Sequence, residues 1–151
     1  MPAYPSWKLV LILARVALAS AFISAVTDRM GLWGPMGQPG VSWGSMQGFY
    51  PHVAKLAPWA PAMAVPALAW FIDILEAALG ILLLTGVQLR RTAWASGVLL
   101  LVFAVSMAAF QSLKLALNFS VLTCSACAFL VYLAAAAPRI VEPAAVRQTY
   151  V

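Results

Sequence analysis

The sequence predicts an all-α fold: an integral membrane four-helix bundle with a long Gly/Pro/Trp-rich outer loop between its first and second helices. Three observations carry this expectation. Apolar residues make up 64% of the 151-residue chain and charged residues 9%, against roughly 45–50% and about 25% in ordinary soluble domains. Four apolar stretches follow one another, each of about 20 residues, which at 1.5 Å rise per residue matches the ~30 Å hydrocarbon core. Only one connection between them is long. Helices satisfy their own backbone groups where water is absent, so strands are not expected. A single membrane domain over residues 1–151 follows, with no separate soluble domain.

The first span is placed at 7–26. A cleaved signal peptide is the rival reading, because Lys8 precedes an apolar run and Ala17, Ala19 and Ala21 offer small-residue cleavage sites. Arg15 argues against it. It cuts the apolar core to the six residues Leu9 to Ala14, shorter than the roughly 7–15 that such signals need.

The outer loop, 27–61, holds six of the nine glycines, five of the ten prolines and three of the six tryptophans. That composition disfavours long helices. Trp33, Trp43, Phe49, Tyr50 and Trp59 suit either an aromatic belt at the membrane interface or a lid over a site that opens outward. His52, the only histidine, has no companion ligands in sequence, so no metal site is expected.

The second span, 62–85, carries two carboxylates inside "AWFIDILEAALG". Asp73 and Glu76, three residues apart, project about 60° from one another on one helix face. Aligning the ends of the first two spans sets Arg15 at the depth of Glu76. An unpaired charge near the bilayer centre costs at least ~2.5–3.5 kcal/mol, so Arg15 is expected to pair with Glu76, with Asp73 sharing the guanidinium or carrying a proton. Arg15, Asp73 and Glu76 are therefore the candidate polar cluster or ligand-binding site. A register-fixing ion pair is the competing reading.

The third span, 92–113, places Gly97, Ala104, Ala108 and Gln111 on one stripe, a close-packing seam. The fourth, 119–137, carries the C-x-x-C pair Cys124 and Cys127 near its outer end. Vicinal thiols at that position have the form needed for exchange with a quinone-linked relay, although sulfur side chains also fill helix seams. No second cysteine pair exists to pass electrons onward.

Charge sets the orientation. With the N-terminus inside, Lys8, Arg90, Arg91, Arg139 and Arg147 lie on the cytoplasmic side, against Arg29, Lys55 and Lys114 outside. Both termini then face the cytoplasm of a bacterial inner membrane. The net charge of +5 contains no clustered basic run, which argues against nucleic acid as a partner.

The chain resembles the DoxX family of small bacterial membrane proteins. The likeness covers about Leu13 to Leu133 and rests on "LARVALASAFISAVTDRMGLWGP", "PALAWFIDILEAALGILLLTGVQLRRTAWASGVLLL" and "LNFSVLTCSACAFLVYL". The family's first-helix arginine matches Arg15 and its second-helix acid matches Glu76; the C-x-x-C departs from the pattern. The resemblance implies a four-helix bundle; the family takes its name from a membrane subunit of a thiosulfate:quinone oxidoreductase, and relatives are implicated in other respiratory and oxidative-stress assemblies. Expected on these grounds is a membrane subunit contacting quinone or another lipidic carrier, with no covalently bound cofactor, among membrane lipids and a protein partner or second copy. A non-catalytic anchor or accessory subunit of a larger complex is the alternative. A transporter is the third reading, and no inverted repeat supports it.

Overall fold

The computed structural model describes residues 7–136. Among them the fold is all-α: α1 (Trp7–Arg29), α2 (Met46–Leu56), α3 (Val65–Thr85), α4 (Leu89–Phe110), α5 (Leu113–Asn118) and α6 (Val121–Ala136), with a 3-10 turn at Ala62–Ala64 leading into α3. α1, α3 and α4 are each long and apolar enough to cross a membrane; α6 is a shorter apolar helix. The C-terminal segment bearing Arg139 and Arg147, counted in the orientation above, lies outside the described residues, as does the last residue of the 119–137 span.

α1 and α3 run antiparallel, and α4 lies along α6; α1 also touches α6, and α3 touches α4. Small residues allow these approaches. Gly80 faces Ile23, Phe22 and the Ala19 carbonyl across the α1–α3 seam, at 3.0–3.5 Å from where a Cβ would stand. Gly97 lies under the Phe129 ring, and the Ser125 hydroxyl donates to the Gly97 carbonyl at 2.8 Å. Of the seam read on the third span, Gly97 is thus used within the chain, by α6, while Ala108 packs with Leu56, Met107 and Ala116. Leu18, Phe22, Leu79, Leu83 and Val131 fill the main core. Ringed around it are exposed Leu, Ile, Val, Phe and Trp side chains, among them Leu13, Phe71, Ile74 and Leu130.

Element bounds depart from the sequence reading at several points: α4 ends at Phe110 and not 113, the short α5 follows it, α6 starts at Val121 and not 119, and three further differences have a local cause. α1 continues three residues beyond Val26, to Arg29, because polar Thr27 and Asp28 bond locally there: the Thr27 hydroxyl donates to Ile23 O at 2.9 Å, and the Asp28 carboxylate serves the following loop. α4 starts at Leu89, not residue 92, since Gly86 and Gln88, both at positive φ, turn the chain within three residues of the end of α3. The loop 27–61 also contains the three-turn helix α2. Ser45 caps it by accepting from Gly48 N at 3.1 Å. Met46, Phe49, Val53 and Leu56, at helical spacing, bury one face against Val65, Ala69 and Ile72 at the start of α3. The apolar stripe outweighs Pro51, which costs the helix one backbone bond.

Candidate functional site: a buried arginine between two carboxylates

Arg29 stands in the last turn of α1, at the end capped by α2. Helical side chains lean toward the N-terminus of their helix, so its guanidinium points back into the packed interior. Its Nε donates to Ala25 O at 2.9 Å, and Nη2 donates to Glu76 Oε2. Asp73 Oδ1 lies 3.2 Å from Nε. The single Nε hydrogen is aimed at Ala25, so Asp73 is held by charge and not by a hydrogen bond. The side chains of Arg29, Asp73 and Glu76 are 1%, 5% and 8% exposed, so the cluster is desolvated and the groups depend on one another. Two of its atoms, Arg29 Nη1 and Asp73 Oδ1, have no hydrogen-bond partner among the described residues.

The cap closes over the guanidinium. Phe49 of α2 stacks on it, with Cζ 4.3 Å from the ring centroid, and Trp43 stands at 5.4 Å; such cation–π contacts strengthen on desolvation. Trp43, Phe49 and His52 pack together with centroids 5.1–5.9 Å apart. His52 is half-buried, and its pKa lies below the ordinary value because burial, Lys55 and Arg29 all disfavour the imidazolium. The loop is fixed by Asp28, whose carboxylate accepts from the backbone N–H groups of Ser42 (2.9 Å), Trp43 (3.2 Å) and Gly44 (3.1 Å). Of the loop aromatics, Trp43 and Phe49 thus form a lid, while Trp33 and Trp59 stay exposed.

Beside the cluster lies a cavity of about 260 Å³. Arg29, Glu76 and His52 supply its polar edge; Phe22, Ile72, Leu100, Phe103 and Met107 are among its apolar walls, and Cys124 lies on its α6 side. Such a site can hold an apolar ring or chain whose polar end lies at the Arg29, Glu76 and His52 edge. Among the described residues no group of three His, Cys, Asp or Glu side chains comes together as metal ligands.

The structure brings Asp73 and Glu76 together and leaves Arg15 out. The Arg15–Glu76 pair expected from sequence is corrected: Arg15 Nε donates to Leu83 O and Nη2 to Leu84 O, both at 3.0 Å, capping the C-terminal carbonyls of α3. The cause is helix register. Level ends would place Arg15 beside Glu76, whereas α1 overshoots the end of α3 by about eight residues, or ~12 Å. Cys124 and Cys127 are free, half-buried thiols packed against the main core. Asp28 and Arg29 were missed because hydropathy ends α1 at Val26. A signal was present: Arg29 follows Leu18, Phe22 and Ala25 on one helical stripe.

In comparison with known proteins, no family model, no curated protein and no solved structure matches the chain.

Proposed function

We propose that this is a multi-pass protein of a bacterial inner membrane, a DoxX-like four-helix bundle with its N-terminus inside, that serves as a small subunit of a redox assembly. In it the Arg29–Asp73–Glu76 cleft receives the head of quinone or a similar lipidic carrier. One observation carries this reading: a buried guanidinium with an unpartnered Nη1 belongs to a residue that, with Glu76 and His52, forms the polar edge of a mostly apolar cavity. An unsatisfied buried donor is costly, and a carbonyl oxygen from a ligand would satisfy it. A carrier of this class supplies two-electron, two-proton chemistry when bound. Arg29 Nη1 would donate to a carbonyl oxygen, and Glu76, already oriented by Nη2, would accept or return a proton on the same side. Phe49 and Trp43 keep water from the pair. Electrons pass to or from a partner protein.

The test is purification in native-membrane nanodiscs followed by quinone extraction and mass spectrometry. Quinone should accompany the wild type and Arg15→Gln, and should be lost in Arg29→Gln. Equal amounts with both variants, or none with the wild type, would overturn the reading. The alternative is a non-catalytic accessory subunit. The exposed Trp70, Phe71 and Ile74 face of α3 is where a partner helix would pack, and a stable co-purifying protein without any cavity ligand would favour it.

A further inference from the structure

The cavity beside Arg29, at about 260 Å³, falls below the roughly 300–1,000 Å³ of pockets that enclose a whole drug-sized ligand. It has room for a head group and not for a tail. Its wall is also incomplete. Ala21 of α1 and Phe119 at the α5–α6 corner both line it, and both are exposed on the outer surface. At these two residues the lining of the cavity is also the outer surface of the protein. α1 meets the core shared with α6 through Leu11, Ala14, Leu18, Ala19 and Phe22, while Ala21 stays outside it and α5 packs on α4 and α6. The apolar side chains on this side of the cavity, Phe119 and Val121 among them, are those a hydrocarbon chain would touch.

Charge limits what can enter. One guanidinium already faces two carboxylates, so an anionic phosphate would add negative charge where desolvation makes it most costly. A neutral head suits the free Nη1.

Resting on the carrier-binding reading above, we propose that the gap between Ala21 and Phe119 is a lateral portal. A neutral, single-tailed amphiphile with a carbonyl-type head enters through it from the lipid. The head reaches Arg29 and the tail stays in the gap, past Val121 and Cys124. Delivery is through the side and not through the α2 cap, which Asp28 and the Phe49 stack hold shut.

Cys124 is a built-in reporter, because it lines the cavity. In nanodiscs of the full chain carrying Cys127→Ser, the rate of Cys124 alkylation by N-ethylmaleimide is read by mass spectrometry. The comparison is with and without a fully ring-substituted benzoquinone bearing a decyl tail, which cannot itself add a thiol. The probe should slow alkylation severalfold. Ala21→Trp should plug the portal, slowing alkylation without the probe and removing the probe's effect, with the thermal midpoint kept as a check on folding. Wild-type-like alkylation and probe protection in a folded Ala21→Trp protein would overturn the portal while leaving carrier binding standing. Absence of probe protection in the Ala21-containing protein, together with no co-purified quinone, would overturn both.

Discussion

Arg29 reaches from the final turn of α1 to Glu76 near the middle of α3, and this contact joins the cap of the molecule to its interior. Both side chains are almost fully buried. Such a pair contributes little net stability over apolar residues of similar size, but removal of one partner strands the other.

Stability should therefore fall asymmetrically. Glu76→Ala or Arg29→Ala is expected to cost about 3–5 kcal/mol, while the triple variant Arg29→Met/Asp73→Leu/Glu76→Leu, which leaves no acid without its cation, should recover most of that loss. Thermal melts in detergent by tryptophan fluorescence and circular dichroism check it. Additive losses in the triple variant would count against coupling.

Arg15 serves a different purpose. Its two hydrogen bonds cap the carbonyls of Leu83 and Leu84, where the helix dipole favours a cation. Arg15→Gln should lower stability by about 1–2 kcal/mol and fray the end of α3, visible as faster amide exchange over residues 82–86. The protection of Asp73 and its neighbours should stay unchanged.

The α4–α6 contact depends on a missing side chain. A Cβ at Gly97 would stand 2.8 Å from the Phe129 ring, so Gly97→Leu should force the helices apart and cost more than 2 kcal/mol, about the range for overpacking. Ser125→Ala, which loses only the bond to the Gly97 carbonyl, should cost about 0.6 kcal/mol. Parallel melts of the two variants rank the effects.

His52 gives the cap a pH dependence of defined sign. Its folded pKa lies below the reference value of 6.5, so below that pH the unfolded chain binds the proton more readily than the native one. The contribution is complete above about 6.5 and is lost as pH falls toward the lowered folded value. The apparent melting temperature should drop on acidification through this window. His52→Gln should flatten that part of the profile, and an unchanged profile would assign the drop to other groups.

Much of this architecture could be read from residue order. The three long helices, the face shared by Asp73 and Glu76, and the Gly97 seam all follow from periodicity along one helix, which the sequence displays directly. Which cation meets the acids does not follow from it. Arg15 and Arg29 lie on nearly the same stripe of α1, fourteen residues apart, or ~21 Å along the axis. Choosing between them needs the offset between α1 and α3, which is set by contacts distant in sequence: Gly80 against Phe22, and Arg15 against the end of α3. The inward-facing lid was equally hidden, because it depends on three backbone N–H groups converging on Asp28.

Asp28 and Arg29 are consecutive residues, one gripping the glycine-rich stretch above and the other gripping the acids below. A single peptide unit thus ties the glycine-rich stretch to the buried acids, so a change of backbone at either residue reaches both contacts.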